Sequence, residues 1–335
     1  MFFWMVVALL VAIAIVVTPV VKLAAAKCQL YAHGLVFMVK ARDLPKAFRG
    51  TNYIRMNTAG DGTRGKRIIR VVFIRHGQSV WNSLFNSYNL DLPVRMAKAA
   101  IHEFTNFLTD PFGSCIIDSP LSSKGKKEAQ DLASFIRTAK TKISFDPATS
   151  VVVSSNLRRA METALVGMSP RLLATQERIV MDSALQEGSQ NIDAQSLSTE
   201  PGKIAPCKLG TITNPLELAI AFDPYLNAGN RVAGVDVYQR MDEFIMHLFG
   251  GSGGASLVPA AGGSNAALKE VIVVGHSAYF RNFFRRFLPP HSTHLSKKKK
   301  LQNCAVVAFE LARDESSGEV VVDESTLKVM YKGFV

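Results

Sequence analysis

The feature that most limits the fold is a β-branched and aromatic run, Ile68 to Ile74, that stops on Arg75-His76-Gly77. A short, continuous apolar run of this composition reads as a strand buried on both faces. Strands of that kind belong to parallel sheets covered by helices. Open α/β sheets place their ligand sites at the carboxyl ends of such strands, where Arg75 and His76 stand. Gly77 permits a sharp turn and a close approach of other backbone. Ser79 is placed to cap a following helix.

The pattern recurs along the chain. Ser150 to Ser154 reads as a second strand, Arg178 to Met181 as a short third, and Lys269 to Gly275 as a fourth that ends on His276-Ser277. Asn303 to Leu311 is a last core strand, with Val320–Val322 and Leu327–Tyr331 as edge strands. Helices are expected over Pro93–Leu108, from the loop Asp118–Gly125 to about Lys142, from near Asn156, over Val235–Phe249 and over Tyr279–Leu288. Phe280, Phe283, Phe284 and Phe287 fit core contacts better than a ligand box. Residues 191–230 read as irregular, and the Gly, Ser and Ala of 250–263 as a flexible loop. This alternation predicts an α/β fold, three layers α/β/α around a central, mostly parallel sheet.

Charge divides the chain. The net charge is +12, and the segment Lys22–Arg70 holds eleven Lys or Arg against two acids, Asp43 and Asp61, so it carries nine of the twelve charges. Confinement of the charge to that segment, with no recognition motif, argues against a nucleic-acid partner. Ahead of it, Met1 to Val21 has no charged residue and the length of a membrane-crossing helix. A signal peptide cleaved after Ala24-Ala25-Ala26 is the alternative. It would have a basic start and a shorter apolar core, which this segment lacks. Basic residues after the apolar run favour a cytoplasmic flank, and the absence of an Asn-x-Ser/Thr sequon argues against a lumenal fate. The expected organisation is an N-terminal transmembrane helix over 1–21, a basic juxtamembrane linker over 22–66 attracted to anionic headgroups, and a catalytic domain over 67–335. The body is expected on the cytoplasmic side; secretion after cleavage is the alternative. Cys28, Cys115, Cys207 and Cys304 are far apart and fit free thiols. No metal site is expected.

Parallel strands bring their carboxyl ends together. Arg75, His76, Arg159 and His276 would then share one pocket, with Glu187 from the segment after the third strand. A planar arginine grips phosphate oxygens in bidentate fashion, and a neutral imidazole beside it can attack phosphorus. Such a pocket suits phosphoryl transfer, where catalysis is mostly positioning and charge stabilisation.

Five segments also resemble a known family. Ile74-Arg75-His76-Gly77-Gln78-Ser79-Val80-Trp81-Asn82 looks like the signature of the histidine phosphatase superfamily, which includes the cofactor-dependent phosphoglycerate mutases. Pro120–Ala129, Ser154–Ala164, Leu185-Gln186-Glu187 and Val274-Gly275-His276-Ser277 are similar to its later segments, in the same order. The resemblance implies that His76 becomes phosphohistidine, that Arg75, Arg159 and His276 bind phosphoryl oxygens, and that Asn82 adds a hydrogen bond. Gly77, Ser79 and Ser277 complete the expected substrate contacts. The arginine directly before alanine is catalytic in the family, which points to Arg159 over Arg158. Some members carry an aspartate directly after the second histidine, but Ser277 stands there, which leaves Glu187 to protonate the leaving oxygen, with Asp182 as the runner-up acid. No metal or organic cofactor is implied.

The Tyr-Gly-x-Leu-x-Gly type segment of family mutases is missing, which favours a phosphatase over a phosphoglycerate-type mutase. A catalytically idle phospho-ligand binding module is the third reading. Residues 83–117, 191–230 and 250–263 look like insertions around the pocket mouth. The expected substrate is therefore no narrower than a phosphorylated small molecule, a lipid headgroup or a phosphoprotein.

Overall fold

The computed structural model describes residues 2–40, 42–44, 65–85, 92–110, 112–210, 212, 214–250, 254–261, 264 and 268–335; for residues 2, 3, 8–16, 19, 92, 108 and 215 it describes the backbone only. Seven strands form one sheet: β1 (Lys66–Arg75), β2 (Ser150–Ser155), β3 (Ile179–Asp182), β4 (Phe222–Leu226), β5 (Glu270–Gly275), β6 (Val306–Asp314) and β7 (Val320–Tyr331). Their order is β4-β3-β2-β5-β1-β6-β7. The first five run parallel, while β6 is antiparallel to β1 and β7 antiparallel to β6.

The apolar runs of β1, β2 and β5 are continuous because these central strands are covered on both faces. Along β1, Ile69, Val71 and Phe73 enter one core, and Val72 and Ile74 enter the other. The same alternation holds in β2 and β5, where Val151, Val153, Val271 and Val273 face the first core and Val152, Ile272 and Val274 the second. The first core is covered by α8 (Val237–Phe249) and α9 (Ser277–Phe287). The second is covered by α4 (Ser123–Thr138) and α5 (Arg158–Gly167). Phe73 stacks on Phe280 at 4.0 Å between ring centroids and meets Phe283 edge-on at 5.0 Å. The phenylalanines of α9 are thus core, as their spacing suggests.

Three expectations need correction. Residues 191–230 are not irregular throughout: they include α7 (Pro215–Ala221) and the edge strand β4, whose Pro224 and Asp223 concealed it. Edge strands tolerate a proline that central ones do not. The two expected edge strands after residue 320 are one strand of 12 residues. The loop over 250–263 is pinned in its described part, since Leu257 is buried in the first core and its N–H donates to His247 O at 2.8 Å.

The largest difference lies at the amino end. A single helix, α1, runs over Phe2–Lys40, so residues 22–40 continue the helix instead of forming a tether. Among the described residues no helix is long and apolar enough to cross a membrane; residues 8–16, the middle of the apolar run, lie outside the described side chains. The later half of α1 packs on the body. Lys27 Nζ donates to Gly113 O at 2.6 Å, Tyr31 Oη donates to Glu103 of α3 (Leu92–Thr109) at 2.9 Å, and Phe37 is fully buried. Gly34 lies where a Cβ would come within 2.6 Å of Ile192, so only glycine lets the helix approach this closely. Residues 45–64 of the expected linker lie outside the described residues.

Candidate active site

The register of β1 and β5 brings two histidines together. Arg75 is paired with Gly275, and the next residue on, His76, donates its N–H to Gly275 O at 2.9 Å. His76 and His276 therefore leave adjacent parallel strands at the same level, with ring centroids 5.1 Å apart. β2 lies on the other side of β5 and ends at Ser155, whose hydroxyl is 2.9 Å from His276 Nε2. Among the described residues the buried Nδ1 of His276 has no hydrogen-bond partner, and neither does Nε of Arg75.

The tautomer of His76 follows from its surroundings. Its Nδ1 is 2.6 Å from Gly77 O, which can only accept, so Nδ1 carries the proton and Nε2 the lone pair. Burial, then the charges of Arg159 and Arg75, hold the imidazole well below its ordinary pKa, with the Gly77 bond acting weakly the other way. His276 is held low for the same reasons. Both rings are neutral at neutral pH.

The turn that carries His76 depends on two glycines in contact. A Cβ on Gly77 would fall 2.6 Å from Gly125 O, and one on Gly125 would fall 2.1 Å from Gln78 O. Gly77 N–H donates to Thr163 Oγ1 at 3.0 Å, and Thr163 Oγ1 donates to Arg159 O at 2.7 Å, which ties the His76 turn to α5. Ser79 Oγ accepts the N–H of Asn82 at 3.1 Å and so caps the short helix α2 (Val80–Phe85). Asn82 sits half-buried on that helix and Ser277 is the first residue of α9.

The two arginines at the start of α5 have separate duties. Arg158 is committed to structure: its Nε donates to Asp118 O at 2.9 Å, its Nη2 to Ser114 O at 2.6 Å, and Asp110 lies 3.9 Å away. Arg159 faces the histidines. Its Nη1 donates to Asp193 O at 2.9 Å and is 3.5 Å from the Asp193 carboxylate, and its charge acts on His76, His276 and Glu187 alike.

Glu187 is buried with Oε1 accepting the N–H of Tyr279, in the first turn of α9, at 3.0 Å. Burial raises its pKa, against the pull of Arg159 and of the Tyr279 hydrogen bond. Asp182, the runner-up acid, is otherwise engaged: it caps the turn at Ala184 N and pairs with His247 Nδ1 at 2.8 Å. The structure thus brings Arg75, His76, Arg159, Glu187 and His276 into one electrostatic field. Asp193 and Ser155 join them without having been singled out in the sequence. Ser155 could have been found as the last residue of β2. Asp193, in a loop of no regular pattern, gave no signal. Among the described residues no cluster of His, Cys, Asp and Glu could hold a metal ion.

No protein-family profile matches the chain, and no curated protein matches it. Solved structures do. The chain is similar to a mycobacterial glucosyl-3-phosphoglycerate phosphatase, at 19% identity over 79% of this chain and 99% of that one, with a TM-score of 0.40. It is similar to a phosphoglycerate mutase from Bacillus anthracis, at 16% identity over 77% and 92%, TM-score 0.38. A phosphoserine phosphatase from Entamoeba histolytica gives 13% identity over 76% and 95%, TM-score 0.31.

Proposed function

We propose that the protein is a phosphomonoester hydrolase of the histidine phosphatase type that works through a phosphohistidine. The observation that carries this reading is His76: neutral, buried, under the charges of Arg159 and Arg75, with Nδ1–H committed to Gly77 O and the lone pair left on Nε2. His76 Nε2 attacks phosphorus as the bond from phosphorus to the ester oxygen breaks. Arg75, Arg159 and His276 bind the equatorial oxygens and stabilise their charge. Glu187, whose raised pKa keeps its proton to higher pH, gives that proton to the departing alkoxide. Water then attacks phosphorus, Glu187 takes up the water's proton, and the N–P bond breaks to return the lone pair to Nε2.

The positive charge of Arg75 and Arg159 around His76 and the absence of a mutase-type segment support hydrolysis of a phosphorylated small molecule, lipid headgroup or phosphoprotein. The uncharged run Met1–Val21 and the basic residues after it support tethering to a membrane with the body on the cytoplasmic side. The full chain in detergent, as wild type and His76→Ala, is assayed on an aryl phosphate with a chelator present. Turnover by wild type alone supports the reading. Equal turnover by both removes it. Binding of vanadate by a wild type that turns nothing over would instead mark a binding module.

A further inference from the structure

Asp43 lies three residues beyond the end of α1, in the segment expected to be a solvated linker, yet its carboxylate is completely buried. Four donors converge on it. Arg240 Nη1 donates to Oδ1 at 2.7 Å and Arg240 Nη2 to Oδ2 at 3.2 Å, Arg231 Nη1 donates to Oδ2 at 3.1 Å, and Ser189 N–H donates to Oδ2 at 2.9 Å. Its backbone carbonyl also accepts the N–H of Val237, the first residue of α8, at 3.1 Å.

The two arginines do not stop at Asp43. Arg231 Nη1 also donates to Glu187 O at 3.1 Å and to Ser189 O, and its Nη2 donates to Asn191 O at 3.0 Å. Arg240 Nη2 reaches Gln186 O at 3.4 Å. The backbone on both sides of the acid is therefore gripped by two guanidinium groups whose shared counter-ion is Asp43. Phe37 of α1 closes the arrangement, with its ring 4.1 Å from the Arg231 guanidinium. Gly188 sits between Val237 and Leu44, and a Cβ there would come within 2.9 Å of the first and 3.3 Å of the second.

We infer that Asp43 is a positioning residue for the catalytic acid. Through Arg231 and Arg240 it holds residues 186–191 in the shape that presents Glu187 to the phosphate pocket, so the tail of the N-terminal helix is a working part of the site. Misplacing a catalytic group by about 1 Å costs on the order of 100-fold in rate, so a buried clamp on its backbone is where such precision would be set. This inference rests on Glu187 being the acid, and the test separates the two claims.

The experiment uses the full chain in detergent, as Asp43→Asn, Asp43→Glu, Phe37→Leu and Glu187→Gln, with kcat and KM read on an alkyl and on an aryl phosphate. Asp43→Asn keeps the shape but removes the charge that orders both arginines. It is expected to lower kcat on the alkyl phosphate by at least about tenfold, to affect the aryl phosphate much less, and to leave KM and inorganic phosphate inhibition nearly unchanged. A purely structural residue would lower both substrates alike. Phe37→Leu, which leaves every charge paired, is expected to give the same alkyl-selective loss in weaker form, and it decides the matter if Asp43→Asn does not fold. Adding Asp43→Asn to Glu187→Gln is expected to cost nothing further on the alkyl substrate. An alkyl-selective loss in Glu187→Gln without one in folded Asp43→Asn or Phe37→Leu would overturn the positioning role and leave the acid in place. No alkyl-selective loss in Glu187→Gln would instead overturn Glu187 as the acid, and the positioning role with it.

Discussion

At the scale of single residues, the site is a set of protonation states fixed by burial. The proposed first step needs His76 neutral and Glu187 protonated, and the pocket pushes both in that direction, the histidine below 6.5 and the acid above 4.5. The kcat/KM profile is therefore expected to be a bell. Its acid limb falls as His76 takes up a proton, and its basic limb falls as Glu187 loses one. Glu187→Gln should flatten the basic limb and leave the acid limb where it was; a basic limb that persists unchanged would move the acid elsewhere. His76, His276 and Arg159 were readable in the sequence because each follows an apolar run that had to be a central strand. Asp193 was not readable, because its place beside Arg159 is set by a loop that joins the site only through tertiary packing. Asp43 was hidden for a related reason. One acid among eleven basic residues reads as a minor member of a solvated stretch, and only the fold shows that it is buried against two arginines.

Among the elements, α5 tests the division of labour most sharply. Arg158 and Arg159 are adjacent, and both are buried, yet one closes a structural network and the other faces the histidines. Arg158→Ala leaves the buried carbonyls of Asp118 and Ser114 without their guanidinium donors and removes a charge that favours the Asp118 carboxylate, and is expected to destabilise by about 2–5 kcal/mol, read as a shift in the urea midpoint. Burial already pushes the Asp118 carboxyl up to about 6, so the carboxylate has little tolerance for losing that partner. Arg159→Ala should lose most of its activity while Arg158→Lys, if folded, keeps much of it; the reverse ranking would mean that the two have been interchanged. The strand pattern was legible for β1, β2 and β5 because parallel strands buried on both faces must be continuously apolar. It was not legible for β4, an edge strand whose five residues include Asp223 and Pro224. The helix α1 was legible only as far as its uncharged residues went. Its continuation through Lys22 and Lys27 is stabilised by contacts to α3 and to the loop at Gly113, which no local pattern announces.

For the whole molecule, the same buried histidines make stability depend on pH. In the unfolded chain His76 and His276 take up protons near pH 6.5, while in the folded one they do so only at lower pH. The unfolded state therefore binds more protons below 6.5, and stability falls as pH drops through that window, at up to ~2.7 kcal/mol per pH unit for the two groups. Glu187 and Asp193, with raised values, act in the opposite sense, so the histidine share is read as the difference between wild type and His76→Gln/His276→Gln in urea unfolding at pH 7 and 5.5. Equal pH dependence in both would show that the rings are not held neutral. The docked helix also changes what counts as the body. A chain cut at residue 66 leaves Arg231 and Arg240 buried without their carboxylate and is expected to melt well below one that begins at residue 22; equal melting temperatures would return residues 22–44 to the role of a tether.

The measurement that tests the central claim most directly is chemical. Wild-type protein is mixed with an aryl phosphate, quenched in alkali within the first turnover, and digested, and the phosphoryl group is located on the peptides. The account predicts a phosphoryl group on His76, attached at Nε2 because Nδ1–H is held by Gly77 O, stable in alkali, labile in acid and absent from His76→Ala. Turnover with no phosphoryl group on His76 at any quench time, or a phosphoryl group carried by another residue, would contradict it.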